Sequence, residues 1–131
     1  MQASPTRWQA VCRGKALLKP RQIAEQWVKR FNAGDPAEVA ELYHKDAVQQ
    51  DVGQEPLTGR PAITAFLARC IEVDYAICIP EVIDECGDVA AIQWRTPSGK
   101  GVLTFFTVRD GRIAFQRGWP ANYLCSSGAT S

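Results

Sequence analysis

The hydrophobic period changes once along this chain, and that change restricts the fold more than any motif does. Between Pro20 and Cys70 apolar residues recur every three or four positions, whereas from Val73 onward they alternate between turns. Helices followed by strands predict an α+β domain, with helices laid on one face of a strongly curved, mostly antiparallel sheet. In the first helix Ile23, Ala24, Trp27, Val28 and Phe31 form the apolar stripe, opposite Glu25, Gln26, Lys29 and Arg30. Asn32-Ala33-Gly34 ends it, with Gly34 suited to the left-handed position beyond the last turn. Asp35 then caps a short second helix, with Pro36 at its first position and Glu38 completing a capping box. Its apolar members are Val39, Ala40, Leu42 and Tyr43, and it runs out near Lys45. Ala47 to Val52 read as a strand, Gly53-Gln54-Glu55-Pro56 as a turn, and Gly59-Arg60-Pro61 opens a third helix carrying Ile63, Phe66, Leu67 and Cys70. Four alternating segments follow, at about 73–84, 89–96, 102–109 and 112–119, and Asp110-Gly111 between the last two is a strong hairpin signal.

A length of 131 residues, 46% of them apolar, suits one domain. The expected organisation is an N-terminal arm over 1–19, a single domain over 20–125 and a disordered Ser/Gly/Ala/Thr tail over 126–131. The arm holds Arg7, Arg13, Lys15 and Lys19 and lacks the apolar stretch of a secretory signal. Fifteen Lys and Arg against fourteen Asp and Glu leave a net charge of +1, so there is no electrostatic case for nucleic acid or an acidic membrane. No apolar run approaches the ~18 residues of a membrane span. Five cysteines, Cys12, Cys70, Cys78, Cys86 and Cys125, contain no CxxC pair, and the lone His44 cannot complete a zinc set with them. Free thiols in a reducing cytoplasm are expected, with no metal. Phosphate-loop, dinucleotide and GxSxG fingerprints are absent, so the expectation is chemistry without a cofactor.

Strand parity nominates the site. Ala90, Ile92 and Trp94 share one face, and Val102, Thr104, Phe106 and Val108 share another. In the last strand Ile113, Phe115, Arg117 and Trp119 alternate onto one face, which puts a charge among apolar neighbours. Arg117 then either faces a cavity or sits at a strand end or subunit interface. Asp51 lies opposite Val48 and Val52, just before a turn: either a solvated turn residue or a general base at the mouth of an apolar pocket. A sheet apolar on both faces predicts a homodimer through its outer side.

The runs Gln26-Trp27-Val28-Lys29-Arg30-Phe31-Asn32-Ala33-Gly34-Asp35, Asp46-Ala47-Val48-Gln49-Gln50-Asp51 and Glu55-Pro56-Leu57-Thr58-Gly59-Arg60-Pro61-Ala62-Ile63 resemble the nuclear-transport-factor-2-like superfamily. Within it the likeness is to the ketosteroid-isomerase and SnoaL-like polyketide-cyclase branch. The resemblance spans about residues 20–120. It implies a cone of curved sheet and three helices around an apolar cavity, a homodimer, and a small apolar or planar ligand. It implies the proton-shuttling carboxylate at Asp51, with the isomerase's two oxyanion donors falling on Trp27 and near Thr104. In those isomerases a phenol and a neutral carboxylic acid donate to the enolate, and neither donor type is kept here. Phe66, Trp94, Phe106 and Trp119 become the expected pocket walls, and Arg117 a stabiliser of an enolate or carboxylate. Isomerase or cyclase chemistry on a carbonyl compound is the implied activity. A non-catalytic binding or assembly module is the alternative, and an epoxide-hydrolase-like activity a further one, for which a second aspartate is missing.

Overall fold

The apolar stripe of the first helix becomes the lid of a curved sheet. The computed structural model describes residues 17–72 and 77–120, without the side chains of Trp119 and Pro120. Helices α1 (Pro20–Asn32), α2 (Pro36–Ala40) and α3 (Arg60–Glu72) pack on strands β1 (Tyr43–Asp51), β2 (Leu57–Thr58), β3 (Ile79–Cys86), β4 (Val89–Arg95), β5 (Gly101–Arg109) and β6 (Arg112–Pro120). The six strands form one open sheet in the order β2-β1-β6-β5-β4-β3. Every neighbouring pair is antiparallel except β1 and β6, which run parallel. The N-terminal arm up to residue 16, the segment 73–76, the tail, Cys12 and Cys125 lie outside the described residues.

Local chemistry sets the element ends. Gly34 takes φ +81° after α1, and the Asp35 carboxylate accepts from the Ala37 and Glu38 backbone N–H groups at 3.0 and 3.3 Å to start α2. Asp110 and Gly111 both take positive φ, 53° and 76°, so the β5–β6 connection is the tight hairpin turn its sequence announces. Ile23, Ala24, Trp27 and Phe31 are the buried face of α1, and Ile63 and Leu67 are buried on α3. These meet Ala90, Ile92, Trp94, Val102, Phe106 and Val108 from the concave side of the sheet. Among the described residues no helix is long and apolar enough to cross a membrane.

Two elements differ from the sequence reading. Helix α2 stops at Ala40, so Tyr43 begins β1 and is fully buried, and His44 lies in that strand with Nε2 2.6 Å from the Arg109 carbonyl oxygen. The second difference is in β6. Val108 pairs with Ile113 and Thr107 with Phe115, which leaves Ala114 as an extra residue in a β-bulge. Beyond it Phe106 pairs with Gln116 and Phe105 with Arg117. The bulge shifts the parity of the strand, so Ile113 and Gln116 are buried on the concave side and Arg117 falls to the convex side.

Helix α2 is only five residues long and depends on its cap. Replacing Asp35 with Ala removes both acceptor contacts and is expected to lower unfolding stability by about 1 kcal/mol in urea denaturation, with an unchanged m-value.

Candidate functional site

Two rows of side chains cross the concave face. Asp51, Gly118, Thr104 and Ile92 are consecutive register partners on β1, β6, β5 and β4. Gln49, Gln116, Phe106 and Ala90 form the next row. Gly118 leaves a gap in the first row, and the Asp51 carboxylate lies over it: a Cβ at position 118 would come 2.7 Å from Asp51 Oδ1. That oxygen also accepts from Gln49 Nε2 at 2.8 Å.

Above the rows, α1 and α3 close a half-open cavity of about 60 Å³. Asp51, Thr104, Gln116 and Cys70 reach it among Trp27, Phe31, Phe66, Leu67, Trp94 and Val102. Aromatic rings occupy most of the concave volume. Trp27 stacks on Phe31 at 4.8 Å between centroids and 11° between planes, and tilts against Trp94 and Phe106 at 6.1 and 5.6 Å. The remaining space is well below the ~300 Å³ at which ligand pockets usually begin.

The buried polar groups are hydrogen-bonded in two short chains. The Trp27 indole N–H donates to the Tyr43 hydroxyl at 3.1 Å, and that hydroxyl donates to Gln116 Oε1. The Trp94 indole N–H donates to Thr104 Oγ1 at 3.1 Å. Desolvation is the main reason that the Asp51 pKa is raised above the ordinary carboxylate value, partly offset by the Gln49 hydrogen bond. Burial likewise pushes the Cys70 thiol up to about 11, with the nearby Asp51 charge adding to it, and the Cys78 thiol up to about 12. Both are poor nucleophiles at neutral pH. Cys70, Cys78 and Cys86 are free thiols. Among the described residues no group of three or more His, Cys, Asp or Glu side chains is placed to hold a metal ion.

The structure brings Asp51, Trp27, Thr104, Phe66 and Trp94 together at one cavity. Trp27 enters it as a wall, since its N–H is engaged by Tyr43 and is not directed to a ligand. Phe106 is fully buried against Trp27. Arg117, expected on the inner face, sits on the convex face between Phe105 and Gln50, because the bulge displaces it from the parity that Ile113 sets. Trp119 belongs to β6, but its side chain lies outside the described residues. Sequence reading missed Gln49, Tyr43 and Gln116. A glutamine two residues before a glycine in a hairpin strand is the only trace that Gln116 leaves, and it is a weak one.

Three comparisons bear on this arrangement. The model of the SnoaL-like domain matches residues 24–116. No curated protein matches the sequence significantly. Among solved structures, a SnoaL-like protein of unknown function from Burkholderia thailandensis superposes with TM-score 0.69 at 16% identity, over 77% of this chain and 93% of the other. A protein with a ketosteroid-isomerase-like fold from Catenulispora acidiphila, in complex with trimethylamine, gives 0.62 at 17% identity over 77% and 85%. The epoxide hydrolase/cyclase-like enzyme SalBIII, which has a role in pyran ring formation in the polyether salinomycin, gives 0.64 at 18% identity over 77% and 89%. At these identities the likeness is one of fold.

The raised Asp51 pKa gives a signed expectation. Between the ordinary carboxylate value and the raised one, the folded protein holds more protons than the unfolded chain, so this group's contribution to stability falls as pH rises through that window. Asp51→Asn removes the penalty. The variant should melt at or above wild type at pH 7, and the difference should close as the pH falls below about 3.9. A melting temperature well below wild type at pH 7 would indicate a carboxylate held in a stabilising ion pair.

Proposed function

The chain belongs to the SnoaL-like domain family, and from that premise we propose that it binds a small, mostly apolar carbonyl compound and moves a proton on it, with Asp51 as general base. The reaction class is cofactor-independent isomerisation or aldol-type cyclisation. The observation that supports this most is the setting of Asp51, a desolvated carboxylate steadied by an amide at an aromatic-lined cavity. A carboxylate paired with a guanidinium is a weak base, whereas a desolvated one gains basicity. Arg117 lies on the opposite face of the sheet, so its proposed role moves from the enolate to the outer surface. In the reaction Asp51 takes a proton from the carbon next to the carbonyl, and the C–H electron pair passes into the enolate. Return of the proton to the far carbon of a conjugated enolate gives an isomer, whereas attack of the enolate carbon on a second carbonyl closes a ring and the alkoxide so formed takes the proton from Asp51. The small cavity favours a ligand well below steroid size.

One observation favours a second reading, a non-catalytic binding module. A carboxylate among aromatic faces also suits a small organic cation, and the Catenulispora acidiphila neighbour is in complex with trimethylamine. The epoxide-hydrolase alternative draws less support, since Asp51 is the sole carboxylate among the described residues lining the cavity. Exchange of α-protons in small ketones, followed by NMR in D2O, tests the first reading. Wild type should exceed buffer and Asp51→Asn should fall to background with its fold intact. Exchange by Asp51→Asn at the wild-type rate would overturn the assignment.

Assembly is part of the proposal. Leu103, Phe105, Ala91 and Phe115 are half-buried on the convex face beside Arg117, an apolar stripe suited to a second copy. Sedimentation at micromolar concentration should give a dimer, and Phe105→Asp should give a folded monomer. A monomeric wild type would remove the interface.

A further inference from the structure

We infer that Gln116 gives the cavity a fixed polarity: its amide N–H groups face the ligand, so the site selects a molecule carrying a hydrogen-bond acceptor over a hydrocarbon of the same shape. The inference rests on the proposed function only in naming that acceptor as a carbonyl oxygen.

Hydrogen-bond direction fixes the orientation of the amide. An indole N–H can only donate. The Trp27 N–H is 3.1 Å from the Tyr43 oxygen, so the phenol receives there. Tyr43 is fully buried, and its single hydroxyl hydrogen must still find an acceptor, because a buried O–H left unmade is costly. That acceptor is Gln116 Oε1. Turning the amide over would aim its N–H2 at the phenol, give that oxygen a second donor and strand the hydroxyl hydrogen. The indole therefore fixes the phenol, and the phenol fixes the amide. Burial also raises the Tyr43 pKa far above the physiological range, so the phenol keeps the hydrogen on which this direction depends.

With its oxygen committed, the donor half of the Gln116 amide is what remains to meet a ligand. Gln116 is 5% exposed and lines the cavity. It stands one row from Asp51: Gln49 and Asp51 are the β1 partners of Gln116 and Gly118. Two residues of rise along the strand and one spacing between strands put such diagonal neighbours about 8 Å apart at Cα. A small ketone can bridge that distance, with its oxygen at the amide and an α-hydrogen toward the carboxylate. Thr104 has the same bias, because its oxygen already receives the Trp94 indole and its own hydrogen is left to donate. The site thus sets the Gln116 and Thr104 donors beside the Asp51 acceptor. A site built to hydrogen-bond a substrate group discriminates strongly against an analogue that lacks it, since its buried donors are then unpaired.

Cyclopentanone and methylenecyclopentane share a shape and differ in the acceptor, and binding of each is followed by NMR titration of the full chain. Gln116→Leu should move the ketone-to-hydrocarbon affinity ratio by about 10-fold toward the hydrocarbon. Tyr43→Phe, which frees the amide to turn, should move it part of the way. In unmutated protein the infrared C=O stretch of bound cyclopentanone should lie below its value in cyclohexane, and the displacement should shrink in Tyr43→Phe, a change that loss of packing alone would not produce. An unchanged ratio in Gln116→Leu, an undisplaced stretch in wild type, or failure of wild type to bind the ketone would overturn the inference. The readouts separate from those of the base. A displaced stretch without α-proton exchange supports Gln116 and rejects Asp51 as base, whereas exchange with an undisplaced stretch rejects Gln116 alone.

Discussion

Four aromatic side chains, Trp27 and Phe31 from α1, Trp94 from β4 and Phe106 from β5, fill the concave side of the sheet, and the rest of the interior is arranged around them. Each such pair contributes about 0.5–1.5 kcal/mol beyond the area it buries. Two of the four are indoles, and a buried indole brings an N–H that needs an acceptor. Trp94 finds Thr104, and Trp27 finds Tyr43. Tyr43 then needs an acceptor of its own, which the Gln116 amide oxygen on β6 supplies. The polar contents of the cavity follow from the choice of aromatic residues that also keeps the cavity small.

Much of this was legible in the sequence. The stripe on α1, the Asp35 cap, the Asp110-Gly111 hairpin and the alternation that groups Trp94 with Ala90 and Ile92, and Thr104 with Phe106, all depend on local periods and turn chemistry, and the structure carries each of them. Parity separates Asp51 from Val48 and Val52 but leaves open which of the two faces is the inner one; the resemblance favours the face of Asp51, and in the structure that residue lines the cavity. The misread positions share a cause. Leu42 and Tyr43 continue the helical spacing of Val39 and Ala40, and no glycine or proline marks the change from α2 to β1, so the sequence holds no stop signal. In β6 alternation from Ile113 points Phe115 and Arg117 inward, but Ala114 is an extra residue that a period-two count cannot see. A bulge is specified by both strands of a pair together, and one strand read alone does not disclose it.

That bulge has a chemical consequence at Asp51. Arg117 immediately precedes Gly118, the register partner of Asp51, so the inner side of β6 at this level could hold either a guanidinium or its neighbours. Were Ala114 paired in the ladder like its neighbours, the parity of Ile113 would carry Arg117 to the concave side beside the carboxylate. A guanidinium within about 4–6 Å would hold Asp51 ionised and weaken it as a base. With Ala114 left out of the pairing, Gln116 and Gly118 face inward instead. The glycine gives the carboxylate room to lie across the strand, and the glutamine brings polarity without charge. Desolvation then acts on Asp51 with only the Gln49 amide against it. A carboxylate retained for folding alone gains nothing from that environment, since its charged form is penalised at neutral pH. The bulging of Ala114 out of the ladder separates a buried ion pair from a desolvated carboxylate facing amide and hydroxyl donors, and only the second arrangement lends itself to proton transfer.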